Sequence, residues 1–353
     1  MGKKIVIVGA GAVGGYCGAH MVQASEDVTF IDPWPEHVEA MRRQGLRITH
    51  AMQVPEFTVP VRALHVTDAQ TLAKEAPVDI AFVCMKSYDT AWAATLIRQY
   101  LAPAGYVVSL QNCMNEETVA GIVGWGRTMG CVASRITVEL RAPGHVHRGA
   151  GKGGERHTVF RTGEVHGRVT QRADEVRRLV ATADSAKVTE NLWGERWSKL
   201  VANVMGNGLS ACTGLTSNAC VENETVRRFM LRLGSEAIRA GQALGYALEE
   251  VLHLPPETVA RAGEGDAAAL ATASDHMLAG TKYLSAEQRP SMGQDMLKGR
   301  RTEIDFLNGY VVARAAEIGL PARANSALTD IVHKVERGEL KPDPRHITDL
   351  RLN

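Results

Sequence analysis

Along the first third of the chain, short, largely apolar runs alternate with longer stretches of helical period. Lys4-Ile5-Val6-Ile7-Val8, Val28-Thr29-Phe30-Ile31, Val61-Arg62-Ala63-Leu64, Ile80-Ala81-Phe82-Val83-Cys84 and Tyr106-Val107-Val108-Ser109-Leu110 read as strands, with helices expected over 13–24, 36–44 and 90–100. A strand that is apolar at consecutive positions suits burial on both faces, as in a parallel sheet covered by helices. Strands alternating with helices predict a doubly wound α/β sheet whose ligands sit at the carboxyl ends of its strands. Between 130 and 170 the pattern shifts to short alternating segments such as Gly144-His145-Val146-His147-Arg148, which predict antiparallel strands extending that sheet. Past the short strand Lys187-Val188-Thr189 the texture turns helical, with patterns at 191–212, 222–244, 291–318 and 322–337. Two domains are expected, residues 1–190 with the sheet and residues 191–353 all-helical.

The turn after the first strand carries the chemistry. Gly9-Ala10-Gly11-Ala12-Val13-Gly14 follows a strand and opens a helix, and Asp32 ends the second strand. In such a loop the first glycine makes the tight turn, the second lets the backbone approach a pyrophosphate, and the third lets helix and strand pack closely. The unsatisfied amides and positive dipole end of the new helix then hold phosphates. The first domain thus reads as a Rossmann-type dinucleotide-binding fold. Gly9, Gly11, Ala12, Val13 and Gly14 line the cofactor and Asp32 accepts the ribose hydroxyls, favouring NAD(H), because a carboxylate there repels the 2′-phosphate of NADP. The following Pro33, Trp34 and Pro35 bring no cation to neutralise that phosphate. NADP(H) stays open as the second choice.

Bulk properties narrow the class. The 353 residues accommodate about two domains of ordinary globular composition, 45% apolar and 22% charged. A net charge of +1 argues against general attraction to nucleic acid or an acidic membrane. Six cysteines form no C-x-x-C pair and read as reduced thiols of a cytoplasmic protein. No run approaches the ~20 apolar residues needed to cross a bilayer, and the apolar start is too short for a signal peptide. Gly149-Ala150-Gly151-Lys152-Gly153-Gly154 lacks the spacing and hydroxyl of a nucleotide phosphate loop and reads as a flexible hairpin. His145 and His147 have no further ligands at metal spacing, so an exposed strand face and no metal site are expected.

In the helical half, Lys199, Asn203 and Asn207 fall within a stripe of about 80° on one helix, while Leu200, Val201 and Val204 face elsewhere. A lysine among apolar residues is drawn toward a proton donor's range by burial, yet a solvated surface stripe fits the same spacing. Gly206 and Gly208 each cost roughly 1 kcal/mol in a helix interior, which points to close packing there. Ser291 and Glu303 lie in a further polar-rich helical segment, about 120° apart if it is continuous. They share a site only if Ser291 begins the helix, which Pro290 permits; a salt-bridged surface helix is the other reading.

Taken together, the glycine loop, Val83-Cys84-Met85-Lys86, Leu110-Gln111-Asn112, Arg196-Trp197-Ser198-Lys199-Leu200 with Asn203 and Asn207, and Ser291-Met292-Gly293-Gln294-Asp295 with Thr302-Glu303-Ile304-Asp305 resemble the ketopantoate reductase (2-dehydropantoate 2-reductase) family over nearly the whole chain. The resemblance implies an NAD(P)-dependent oxidoreductase that exchanges hydride with a 2-oxo or 2-hydroxy acid in a cleft between a Rossmann-type and an all-α domain. Under it, Lys199 would be the general acid at the carbonyl oxygen and Glu303 would hold a substrate hydroxyl or a water. Asn203, Asn207 and Asn112 would bind substrate, Ser291 its carboxylate, and Lys86 and Asn112 would border the nicotinamide. A homodimer is implied as well. The sequence departs from the family pattern at Cys113, where glycine is usual, at Asp32, and in a long 245–290 stretch. The competing readings are a β-hydroxy acid or opine dehydrogenase, and a non-catalytic NAD(H)-sensing regulator.

Overall fold

The computed structural model describes residues 2–51, 54–154, 157–283 and 285–351. The chain divides into two compact units, Met1–Leu192 and Trp193–Asn353.

In the first unit the strands are β1 (Lys4–Val8), β2 (Asp27–Asp32), β3 (Leu46–His50), β4 (Phe57–Val59), β5 (Arg62–His65), β6 (Val78–Val83), β7 (Leu101–Ser109), β8 (Thr128–Ala133), β9 (Val138–Ala142), β10 (His145–Arg148), β11 (Phe160–Glu164) and β12 (Ala186–Val188). Eight of them form one sheet in the order β12-β11-β8-β7-β6-β1-β2-β5. All neighbours in it run parallel except β11 against β8. The helices α1 (Ala12–Gln23), α2 (Pro35–Gln44), α3 (Thr90–Arg98), α4 (Glu116–Val123) and α5 (Gln171–Ala181) accompany it.

Burial explains the apolar runs. Every residue of β1 is buried. Ile5 and Ile7 join Phe30, Phe82 and Val108 in one core, and Val6 and Val8 join Ile31, Ala81 and Val83 in another on the opposite face. The chain leaves β1 for β2 on one side and returns to β6 on the other. The carboxyl end of β1 is therefore the switch point of the sheet, where open α/β sheets bind ligands.

The alternating segment at 144–148 departs from expectation. β10 does not extend the main sheet; it pairs parallel with β3 and antiparallel with β9 in a separate sheet ordered β4-β3-β10-β9. Its inner face packs on α1, where Val146 stands within 3.1 Å of the position a Cβ on Gly15 would take. His147 is buried rather than exposed, and the Thr49 hydroxyl lies 2.8 Å from both His145 Nε2 and His147 Nδ1. The glycine run after β10 leads to a strand of the other sheet rather than closing a hairpin, and its described residues are hydrogen-bonded. Arg148 donates to the carbonyls of Ala150 and Gly151, and Gly153 N–H donates to Asp184.

The second unit contains α6 (Leu192–Thr213), α7 (Ser217–Glu222), α8 (Glu224–Ala243), α9 (Pro256–Glu264), α10 (Ala267–Gly280), α11 (Ser291–Leu297), α12 (Asn308–Glu317), α13 (Arg323–Glu336) and α14 (Arg345–Thr348). Trp197 of α6 is fully buried, donates its indole N–H to Ala237 of α8 and stacks on Tyr246. Of the expected helices at 222–244 and 291–318, the first is α8 and runs unbroken, and the second is interrupted. The second ends at Leu297, turns through Gly299 at φ +62°, and resumes as a short 3₁₀ turn (Ile304–Phe306) before α12. A left-handed residue cannot continue a right-handed helix, which is why Ser291 and Glu303 do not share one.

Candidate functional site

At the switch point, Gly9 adopts φ +101°, and its N–H donates to the Ile31 carbonyl at 2.8 Å. A Cβ there would stand 2.8 Å from Met85 Sδ and 2.9 Å from the Cys84 backbone. At Gly14 a Cβ would sit 2.0 Å from the Gly9 carbonyl oxygen, so α1 can approach β1 only with glycine there. Gly11 differs from both. No atom lies within 4 Å of the place its Cβ would occupy, so no neighbouring protein group requires glycine at that position. No side chain caps α1 and no acid lies in its first turn. Gly11, Ala12 and Val13 therefore present an uncovered helix start able to receive an anion.

Asp32 is buried, 7% exposed, rather than a solvated loop residue. Its Oδ2 accepts the Ala10 N–H at 2.8 Å and its Oδ1 the Trp34 N–H at 2.9 Å. Each oxygen retains a lone pair for a further donor. Lys86 follows β6, and Asn112 follows β7, the next strand in the sheet. Their turns are knit together: Gln111 Nε2 donates to the Met85 carbonyl and to Thr90, while Asn115 Nδ2 donates to the Asn112 carbonyl and to Ser87. Glycine loop, Asp32, Lys86 and Asn112 thus all lie at the carboxyl ends of four consecutive strands, β7-β6-β1-β2.

The second unit places Lys199, Asn203 and Asn207 on α6. Lys199 and Asn203 are half-buried and Asn207 is buried, whereas Leu200, Val201 and Val204 are fully covered. Gly206 shares the Asn203–Asn207 side of the helix and has nothing within 4 Å of a would-be Cβ, so the close packing expected there is absent. It is found one turn-face away. A Cβ on Gly208 would stand 2.9 Å from Leu328 and 3.2 Å from Ile304, which brings the residue after Glu303 against α6. Gly293 of α11 meets Ser210 of α6 in the same fashion, and Ser291 is the first residue of that helix. Glu303 is buried, 2% exposed, and Ser291 half-buried. The stretches bearing Ser291 and Glu303 therefore both lie along α6.

A buried polar chain holds this arrangement and was not foreseen from the sequence. Glu236 of α8 accepts the first N–H groups of α13, at Ala324 and Asn325, and also Asn325 Nδ2. Asn325 Oδ1 accepts from Asn308 Nδ2, which also donates to the Val204 carbonyl at 3.2 Å, in the turn between Asn203 and Asn207. Asparagines spaced on separate helices carry no local signal for such a contact.

A doubly wound sheet with a glycine-rich turn at its switch point, and a helical unit displaying a lysine-and-amide face, fit a nucleotide-dependent oxidoreductase. Residues 5–155 match the family model for ketopantoate reductase PanE/ApbA, and residues 191–336 match the model for the C-terminal part of the same family. The chain belongs to the ketopantoate reductase family. It is 28% identical to the 2-dehydropantoate 2-reductase of Archaeoglobus fulgidus, over 95% of this chain and 99% of that one. With that of Mesorhizobium japonicum it shares 29% identity, again over 95% and 99%. Among solved structures, a PanE/ApbA family ketopantoate reductase from Ralstonia eutropha superimposes with a TM-score of 0.76 at 29% identity, covering 95% of this chain and 99% of that chain. D-mandelate dehydrogenase with NADH and anilino(oxo)acetate shares the fold, at TM-score 0.77 and 20% identity over 95% and 99% of the two chains. The protein is an oxidoreductase acting on a CH–OH group of a small molecule with a pyridine nucleotide cofactor. Among the described residues, no helix is long and apolar enough to cross a membrane.

Proposed function

We propose that this chain interconverts a 2-oxo acid of the 2-dehydropantoate kind and its 2-hydroxy acid, with NAD(H) preferred over NADP(H) and Lys199 as the general acid. The observation that carries the reading is the α6 face on which Lys199 and Asn203 stay partly open beside Gly206, while the intervening apolar residues are buried. On this reading residues 1–190 are the dinucleotide-binding domain and residues 191–353 the substrate and dimerisation domain. The preference for NAD(H) rests on Asp32, whose carboxylate repels a 2′-phosphate, with no cation in Pro33-Trp34-Pro35 to offset it.

The residues present fit a dinucleotide, since Gly11 leaves space that no protein atom fills at an uncapped helix start. When bound, the nicotinamide supplies or accepts the hydride. Gly11, Ala12 and Val13 turn their amides to the pyrophosphate, Gly9 and Gly14 keep strand and helix close enough to do so, and Asp32 accepts the ribose hydroxyls. Lys86 and Asn112 border the nicotinamide end. Asn203 and Asn207 hydrogen-bond the substrate, and Ser291 donates to its carboxylate. Lys199 Nζ delivers a proton to the carbonyl oxygen as negative charge develops there, and takes it back in the oxidative direction. Glu303 holds a substrate hydroxyl or a water. The protein works as a cytoplasmic homodimer that binds neither nucleic acid nor membrane.

Initial rates for 2-dehydropantoate, other branched and aromatic 2-oxo acids, 3-hydroxy acids and opines, each with NADH or NADPH (the oxidised forms for the hydroxy acids and opines), test this. The expected result is turnover of 2-oxo acids with the larger kcat/KM for NADH. A larger value for NADPH removes the role given to Asp32, and turnover confined to 3-hydroxy acids or opines, or NADH binding without any turnover, overturns the substrate class.

A further inference from the structure

We propose that His37 is a positioning residue for the phosphate-receiving loop, holding it through the Ala10 carbonyl; this rests on the dinucleotide reading of that loop. His37 is the third residue of α2 and is completely buried. Its Nδ1 lies 2.9 Å from the N–H of Gly144, and its Nε2 lies 2.9 Å from the Ala10 carbonyl oxygen. A backbone N–H can only donate and a carbonyl can only accept, so Nδ1 is the acceptor and Nε2 carries the proton. The partners fix the neutral tautomer and leave each nitrogen one task.

Ala10 stands between Gly9 and Gly11, where its peptide groups belong to no strand ladder. Its N–H is held by Asp32 and its carbonyl by His37. Both holds come from one short segment, Asp32-Pro33-Trp34-Pro35-Glu36-His37, in which two prolines restrict the backbone. The segment is braced internally as well. Trp34 N–H donates to Asp32, and the Trp34 indole stacks on the His37 ring with centroids 5.7 Å apart and planes 26° from parallel. The other nitrogen of His37 reaches the turn joining β9 and β10, whose Gly144 carbonyl in turn accepts from Arg47 N–H at 2.8 Å. His37 therefore joins the loop that opens α1 to the second sheet, and the orientation of the Gly11 peptide follows from the peptide that His37 holds. A glutamine in its place offers an N–H where Nε2 stands, and an asparagine offers an acceptor where Nδ1 stands. The two bonds can thus be removed one at a time.

Steady-state kinetics of His37→Asn and His37→Gln, with thermal unfolding of both, test the assignment. His37→Asn loses the hold on Ala10, and one hydrogen bond of about 1.4 kcal/mol corresponds to a rise of about tenfold in KM for NADH. Its kcat at saturating NADH stays within about twofold, because the bond touches no reacting group. His37→Gln keeps the donor to Ala10 and restores KM toward the wild-type value, although both variants melt earlier. Equal KM changes in the two variants, or lower melting points with KM unmoved in both, would overturn the assignment. Fluorescence titration of the wild-type protein with NADH separates the two levels: no binding there removes the dinucleotide reading itself, whereas normal wild-type binding with an unaffected His37→Asn removes only the role of His37.

Discussion

Cys113 holds its backbone at φ +66° next to Asn112, with its thiol buried. The left-handed region costs an L-residue about 1–2 kcal/mol. Replacing Cys113 by glycine relieves that strain but gives up a buried thiol and frees the unfolded chain, so the terms nearly cancel. Cys113→Gly is expected to change the unfolding free energy by less than about 1 kcal/mol. Cys113→Val puts a branched Cβ in the same conformation and should cost about 2 kcal/mol or more. Urea denaturation of the two variants decides it, and a valine variant as stable as wild type would contradict the argument. At this scale the placement of residues with a local signature was legible. Gly9, Gly11, Gly14 and Asp32 stand at fixed offsets around one turn, and Lys199, Asn203 and Asn207 follow helical spacing. His37, Asn308 and Asn325 were not, because each acts through a partner on a distant part of the chain, at Gly144, Val204 and Glu236.

Between elements, Arg148 at the end of β10 pairs with Asp184 ahead of β12 at 2.5 Å, both side chains essentially without exposure. Burial alone pushes the Asp184 carboxyl up. The N–H groups of Ser185 and Gly153 and the Arg148 guanidinium outweigh it and hold the group below the usual carboxylate range. A carboxylate depressed in the folded state contributes its full stability above the unfolded value of about 3.9 and loses it as pH falls below that toward the folded value. Asp184→Asn leaves a buried guanidinium without its counter-charge and should cost about 3–5 kcal/mol at pH 7. The gap between wild type and variant should narrow between pH 4 and pH 2 in urea unfolding; a gap constant across that range would contradict the coupling. Elements were read well where one pattern ran long, as in α1 and α6. The second sheet was misassigned because strands of three to five residues carry too few positions to show which sheet they join. The break after Leu297 was missed because the apolar period resumes beyond it, and only the backbone at Gly299 reveals the turn.

At the scale of the molecule, the proposed function divides the work: the first unit would bind the dinucleotide and the second would supply proton and substrate contacts. A ligand that binds only the folded chain stabilises it by mass action, by about 2.7 kcal/mol at a hundred times its Kd. NADH at that excess should raise the melting temperature, and NADPH at the same concentration should raise it less; the reverse order would contradict the role of Asp32. The doubly wound sheet and helical second half were legible because their hydrophobic periods differ, two classes of pattern on either side of residue 190. The identity of the substrate was not, because no single pattern records which acid the α6 face receives. The role proposed for Lys199, proton donor in a hydride transfer, is tested most directly by single-turnover oxidation of bound NADH by the 2-oxo acid in wild type and Lys199→Ala, with NADH affinity determined alongside. With Lys199 as the donor, the variant's rate is lower by about 10²–10⁴-fold with NADH affinity within about twofold. Wild-type turnover in Lys199→Ala would contradict it.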